Sequence, residues 1–231
     1  DLTDGTSSSY VSSAKVEVTV RPVNDPPSLE NINIWNAPMN RDRSADDLGD
    51  ADLQNITFIP RDVDDEGNFT LFLTWKPITL QPDWATRPRG RWFRDRDRYG
   101  RPLSEISAST LDQVGVTSTE ANITLYYLAP PLLYGANSTT GDNALEKYTM
   151  RVVDDGKLVS NEATLSIYVQ CARGYITEPL YSNDPRTPKT YGTCQICPLG
   201  RVSDALNSYQ CRDCPVGMAS GTVQRGFCSR C

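Results

Sequence analysis

The residues of this chain best equipped for chemistry are seven cysteines, all of them between positions 171 and 231. They recur as Cys194-Gln-Ile-Cys197-Pro-Leu-Gly200, Cys211-Arg-Asp-Cys214-Pro-Val-Gly217 and Cys228-Ser-Arg-Cys231, each unit 17 residues after the last. Cys171-Ala-Arg-Gly174 matches the second half of the same unit. Thiols at such spacing could act as nucleophiles, hold zinc or form disulfides. A nucleophilic cysteine wants a histidine base, and the chain has no histidine at all. A zinc ribbon also uses paired Cys-x-x-Cys, but here the unit repeats three times with Pro and Gly in register. The cluster therefore reads as a disulfide framework formed in an oxidising compartment. Sequence alone does not determine its connectivity.

Oxygen ligands form the second group. Asp62 and Asp64 lie two residues apart, so on extended chain both carboxylates point the same way and invite a cation between them. An EF-hand reading of Asp62-x-Asp64-x-Glu66-Gly67 fails, because the twelfth loop position is Leu73 in place of a glutamate. Asn55, Asn68, Asn122 and Asn137 each open an Asn-x-Thr/Ser acceptor triplet for N-linked glycans. A carboxylate pair can also serve glycoside hydrolysis, yet no pair is singled out. There is no phosphate-binding loop or dinucleotide fingerprint either. The chain reads as a non-enzyme.

Arginines form the third group. Positions 87–101 hold Arg87, Arg89, Arg91, Arg94, Arg96, Arg98 and Arg101 against only Asp95 and Asp97, with Trp84, Trp92, Phe93 and Tyr99 nearby. Arginine among aromatics is the mixture that protein interfaces favour, through stacking and bidentate carboxylate contacts. The bland alternative is a solvated loop whose arginine stems lie on its own aromatics. A second loop, 41–52, carries Asp42, Asp46, Asp47, Asp50 and Asp52 against Arg41 and Arg43. The net charge of −6 argues against nucleic acid as a partner. No apolar run approaches the roughly 20 residues of a membrane span. Asp1 follows no signal peptide, so the chain reads as a piece of something longer.

The elements that must position these groups are strands. Val16, Val18 and Val20 alternate with polar residues, Pro22 ends that run, and Asn24-Asp25-Pro26-Pro27 makes a stiff extended linker. Residues 1–26 read as the closing strands of one module. Residues 27–170 read as a second, with strands near 29–35, 53–60, 69–76, 122–128, 147–153 and 162–170 and long loops at 36–52 and 77–112. Several short alternating strands without helical periodicity predict an all-β, antiparallel sandwich of the immunoglobulin or cadherin type. Residues 171–231 read as a small, loop-dominated, disulfide-rich module.

The end of the second module repeats the end of the first. Val152-Val-Asp-Asp155-Gly156 and Ala163–Val169 parallel Leu2-Thr-Asp4-Gly5 and Ala14–Val20. Asp-Gly followed by Val-x-Val-x-Val and Pro-Val-Asn-Asp-Pro-Pro resembles the ending of cadherin-like tandem repeats of surface and adhesion proteins. Asp62-x-Asp64-x-x-Gly67-Asn68 resembles their loop after the second strand. That resemblance implies calcium at the module junction, held by Asn24, Asp25, Asp62, Asp64 and Asp155, with no other cofactor. Pro22 departs from it, standing where the family usually has an aspartate. The Cys-x-x-Cys-Pro-x-Gly repeat resembles the ephrin-receptor-like cysteine-rich repeats of extracellular proteins, a class that shades into EGF-like and TNF-receptor-like modules. The repeat suggests a ladder of Cys171–Cys194, Cys197–Cys211 and Cys214–Cys228, with Cys231 pairing beyond the chain. Sandwich repeats joined to such cysteine repeats resemble, in composition, the glycoproteins of polymerised surface filaments such as mastigonemes. The function these resemblances imply is structural or adhesive: an extracellular glycoprotein segment that meets other protein subunits. The alternative is a receptor ectodomain in which Trp84, Trp92 and the arginine loop meet a protein or carbohydrate ligand.

Overall fold

The computed structural model describes residues 15, 17–19, 23–41, 52–63, 68–76, 89–106, 113–135, 144–179, 191–220 and 226–230. Of the strand expected at 14–20, residues 15 and 17–19 are described; none of them is in a strand and Val18 is 78% exposed, so the alternation there is not read out as a half-buried strand. Asp64, Trp84, Arg87, Asn137 and Cys231 fall outside the described residues, as does most of the acidic loop. Among the described residues there are strands and no helix, and so no helix able to cross a membrane.

In chain order the sandwich strands are β1 (Ile32–Ala37), β2 (Gln54–Phe58), β3 (Phe69–Lys76), β4 (Arg91–Arg96), β5 (Pro102–Glu105), β6 (Gln113–Ser118), β7 (Ile123–Leu128), β8 (Leu133–Gly135), β9 (Glu146–Val153) and β10 (Ala163–Val169). The C-terminal part adds β11 (Tyr175–Pro179), β12 (Tyr191–Ile196), β13 (Arg201–Val202), β14 (Arg212–Asp213), β15 (Met218–Ser220) and β16 (Cys228–Arg230). One sheet runs β2-β7-β4-β5. The other runs β11-β12-β8-β10-β9-β3-β6, with β1 added parallel to β10. From β1 to β8 the chain crosses repeatedly between the sheets, with β4 and β5 together in one and β8, β9 and β10 in the other, and nearly all neighbours are antiparallel: a β-sandwich, as the alternation predicts.

Period two explains the core. Phe69, Leu71, Leu73 and Trp75 of β3 face inward with Tyr148, Met150 and Val152 of β9 and Leu165, Ile167 and Val169 of β10. They meet Ile56, Phe58, Ile123, Leu125 and Tyr127 from the other sheet. Each fully buried Leu, Ile or Phe contributes about 1.5–3 kcal/mol, so the sandwich has an ample core without help from disulfides.

The loop expected at 77–112 is in part a β-hairpin, β4–β5. Alternation is present there, but charge disguises it. Trp92 turns into the core while Phe93 turns outward beneath its own arginines. The loop expected to open at 36 begins later. β1 continues to Ala37 through a bulge with Asn36 at φ 68°, and Asn40 then bridges to Pro131. The short strands β6 and β8 also escaped the pattern reading.

The sheet does not stop at residue 170. β12 pairs with β8 on one side and β11 on the other, so the first cysteine unit extends the sandwich. Cys171 and Cys194 are 0% and 2% exposed and belong to the main core. Beyond them the chain repeats one device three times. Tyr175 N–H donates to Ala172 O, Arg201 N–H to Pro198 O and Met218 N–H to Pro215 O. Gly174, Gly200 and Gly217 stand at the third turn position with φ of 87°, 77° and 83°, the requirement of a type II turn. After each turn two strands pair: Tyr175 opposite Ile196, Arg201 opposite Asp213, Met218 opposite Arg230. Cys197 N–H returns to Gly174 O, and Cys214 N–H to Gly200 O. The unit is therefore a turn, a hairpin and a disulfide, stacked along the chain.

Candidate interaction surface

The disulfides formed are Cys171–Cys194, Cys197–Cys211 and Cys214–Cys228, with Cα separations of 5.5, 5.8 and 5.7 Å. These are the pairs the repeat suggests, and the separations suit a disulfide. The partner of Cys231 lies outside the described residues.

Glu146 is the residue that sequence reasoning missed. It occupies the inward-facing position that precedes Tyr148, Met150 and Val152 on β9 and is 0% exposed. Its Oε2 accepts from Tyr127 Oη at 2.7 Å and from Tyr148 Oη at 2.8 Å. Its Oε1 accepts from Gly90 N–H at 2.9 Å. A buried carboxylate is tolerable only when so paired. Burial, with the Glu146 carboxylate beside it, pushes the Tyr148 phenol well above its usual range, so it stays protonated and donates. Gly90 has no room for a side chain, since an added Cβ would stand 2.2 Å from the Tyr127 ring. The network thus ties the root of the arginine hairpin to the opposite sheet. Trp92, 3% exposed, packs in this core against Tyr127 and Tyr148 with ring centroids 5.1 and 5.4 Å away. Trp92 is therefore core and not an interface residue: an indole packed between these rings offers no face to a partner.

The described arginines are exposed, Arg89 partly so, and each is held differently. Arg89 lies over Trp75 at 4.1 Å. Arg91 pairs with Glu105 across the hairpin through two contacts, the Nε one 2.8 Å long, and covers Phe93. That bond holds the Glu105 carboxyl below its usual range and raises the Arg91 guanidinium. Arg96 covers Tyr126, and Arg94 points into solvent. At the tip, Asp97 Oδ1 accepts from Tyr99 N–H at 2.8 Å and Arg101 N–H at 2.9 Å. Those backbone bonds, the Arg101 one foremost, lower the Asp97 carboxyl, which therefore stays ionised and keeps the turn closed. Arg98 and Arg101 flank the ring of Tyr99 at 4.6 and 5.8 Å, and Tyr99 is 62% exposed. Guanidinium over aromatic is attractive even at exposed sites. The exposed arginines thus lie over aromatics, three of them over Phe93 and Tyr99 of their own segment as the bland alternative expects, but on a β-hairpin in place of a loop.

The oxygen ligands gather only in part. Asn24 Nδ2 donates to Asp154 Oδ2 at 2.7 Å, and Leu158 N–H to Asp154 Oδ1 at 2.7 Å. The linker thus reaches the neighbour of Asp155 rather than Asp155 itself, whose carboxylate is exposed, as is that of Asp25. Ser28 bridges Arg61 through two backbone bonds, which brings the linker to the residue beside Asp62. Among the described residues no three acidic, cysteine or histidine groups converge as metal ligands. Asp64, which a calcium site here would need, is outside them. Asn55, Asn68 and Asn122 are all exposed, as glycan acceptors must be. Asn55 lies on the outer side of β2 opposite Tyr126 of β7, and its triplet partner Thr57 meets Thr124 at 3.1 Å. No family model and no curated protein matches this chain.

Proposed function

We propose that the chain is a non-catalytic structural or adhesive segment of a larger extracellular glycoprotein. It works by presenting protein surfaces to other subunits at a cell surface or in a filament. The observation that carries this reading is the continuity of the β8-β12-β11 sheet across the junction, closed by the Cys171–Cys194 disulfide inside the core. A ligand-binding head needs no such weld to its stalk. A load-bearing or spacing element does, because tension at the junction must then break a sheet and a covalent bond together. Three disulfides support an oxidising environment, and the exposed acceptor asparagines agree with glycans. The receptor alternative loses one of its two tryptophans, since Trp92 is core.

The test is native fractionation. Antibody against this chain, applied to intact cells and to their shed surface material, should find it in high-mass assemblies held to other protein subunits. Proximity cross-links from the arginine hairpin to protein should accompany them. Recovery as a free monomer that captures a soluble ligand would instead establish the receptor reading.

A further inference from the structure

We infer that the Trp35 ring and the cleft beside it, where the sandwich meets the first cysteine unit, form a carbohydrate-binding site. Its ligand is the neutral sugar of an N-linked glycan carried by a neighbouring glycoprotein subunit. The inference deepens the structural reading above and rests on it for the source of that sugar. On β1, Asn33 pairs with Ser166 and Ile34 with Ile167, after which a bulge shifts the register so that Ala37 meets Val169. Ile34 and Ala37 pack on the core, so the bulge leaves Trp35 on the outer face of the sheet. There its ring lies on Tyr168, with centroids 4.3 Å and planes 21° apart. Tyr168 is 2% exposed and Trp35 45%, so the phenol backs one face of the indole while the side chain still opens to solvent. Asn36 supplies the bulge's φ of 68°, a left-handed conformation that Asn tolerates better than most residues.

Asn36 is also one lip of a cleft of about 320 Å³, which Met39, Arg41, Asp52, Gln170 and Leu206 line with it. Trp35 and Asn36 adjoin in the chain, so ring and cleft are one site. The groups around the indole are amides and a hydroxyl: Asn33 and Ser166 on one side, Asn36 and Gln170 on the cleft side. Among the described residues the side chains of Asn33, Asn36, Arg41 and Gln170 form no hydrogen bond or ion pair. Each amide offers a donor and an acceptor together, which matches the neighbouring hydroxyls of a sugar ring. The C–H face of that ring wants an apolar plane. An indole already held by Tyr168 provides one and loses little freedom on binding. A protein anchor would need an apolar surround. Trp35 is instead the one exposed large hydrophobic of β1 and β10, with polar groups beside it on both strands. Charge favours a neutral sugar, because the chain between Arg41 and Asp52 holds Asp42, Asp46, Asp47 and Asp50 against Arg43 alone. The described glycan acceptors stand elsewhere. Asn55 is on the outer side of the other sheet, and Asn122 precedes β7 beside the end of β2. Asn68 precedes β3 at the end of the sheet away from the cysteine units, where Thr70 meets Val153. Sugars on these project from other faces, and the sugar that meets this site is a neighbour's.

The experiment is a calorimetric titration of the intact chain, made in a glycosylating host and trimmed with an endoglycosidase so that its own glycans do not compete. The probe is a released, neutral, mannose-rich N-linked oligosaccharide. A sialylated oligosaccharide and a soluble neutral β-glucan are the comparison arms. Saturable binding of the mannose-rich probe is expected, about tenfold tighter than binding of either other sugar. W35A should weaken it by about tenfold, the loss of one stacked ring, and W35Y, which keeps a plane, should weaken it less. N36G keeps the bulge, since glycine accepts a positive φ, and should weaken binding without lowering the urea midpoint. A parent that binds none of the three sugars, or W35A and N36G chains that bind like the parent, would overturn the site. Preference for the β-glucan or the sialylated sugar would overturn the ligand assigned to it. If the parent binds no sugar and W35A drops out of surface assemblies, Trp35 is a protein anchor instead. Absence of sugar binding in a chain that still enters those assemblies sinks this site and leaves the structural role standing. Sugar bound by a chain recovered only as a free monomer upholds the site and sinks the structural reading that names its source.

Discussion

At the scale of single residues, the buried Glu146 decides more than any exposed carboxylate. It is the acceptor for two buried phenols and one part-buried backbone N–H. Replacing it with alanine strands all three donors, each at about 1–3 kcal/mol. E146A should therefore lower the unfolding free energy by more than about 3 kcal/mol in a urea melt, whereas E146Q, which keeps an acceptor oxygen, should lose less. G90A tests the same node from the other side. The added methyl must displace the Tyr127 ring, a cost of about 1–3 kcal/mol by overpacking. A G90A protein as stable as the parent would show that the hairpin root is slack. The exposed Arg91–Glu105 pair contrasts with both. Its charges sit in solvent, so R91A should change stability by less than about 1 kcal/mol.

Among elements, the three cysteine hairpins share a design but not a consequence. The 14-residue loops closed by Cys197–Cys211 and Cys214–Cys228 each contribute about 3 kcal/mol by the chain-entropy model. The Cys197–Cys211 loop is tied back to the first unit, since Gly174 N–H donates to Ser203 O, Thr177 N–H to Ser208 O and Asn207 N–H to Cys171 O, whereas the Cys214–Cys228 hairpin meets the second unit through Gly200 N–H to Ser220 Oγ and is the more local of the two. Cys171–Cys194 closes a longer loop, with a sequence separation of 23, inside the main core. Its removal should act on the sandwich. C171A/C194A is expected to lower the main thermal transition by several degrees. C214A/C228A should leave that transition in place and abolish only the protection of residues 212–230 in hydrogen exchange. An equal effect of the two pairs would refute the view that the first unit has been absorbed into the sandwich.

On the scale of the whole molecule, the weld between sandwich and ladder has a pH signature. Tyr134 of β8 sits at that weld, with Thr177 of β11 as a hydrogen-bond partner, and burial pushes its phenol up to about 12 from 10. Its contribution is fully present below pH 10, where unfolded and folded forms are both protonated. It is lost as pH rises from 10 through 12, because the unfolded chain ionises first. Stability measured at intervals from pH 9 to 12 should fall over that window, and Y134F should flatten the fall. A parent whose stability is constant across it would remove Tyr134 from the weld.

The strand alternation and the cysteine period were enough to read an all-β sandwich and six of its strands (β1, β2, β3, β7, β9 and β10), and to suggest a ladder of disulfides, because each is a local repeat. Period two depends only on the pleat, and the 17-residue unit only on a turn and a hairpin that close on themselves. The same period, carried one step back from Tyr148, would have marked Glu146 as an inward position. Nothing local marks Gly90, whose lack of a side chain matters only once Tyr127 arrives from another strand. The arginine run misled for a related reason. Charge hid the alternation of a β-hairpin, and only the sheet shows Trp92 turned into the core while described arginines lie over Trp75, Phe93, Tyr126 and Tyr99. By itself, then, the sequence determined the class of fold and suggested the disulfide ladder, which follow from neighbours in the chain. Only the tertiary structure decided where the modules join and which aromatic is core, because those depend on strands that pair across long stretches of chain.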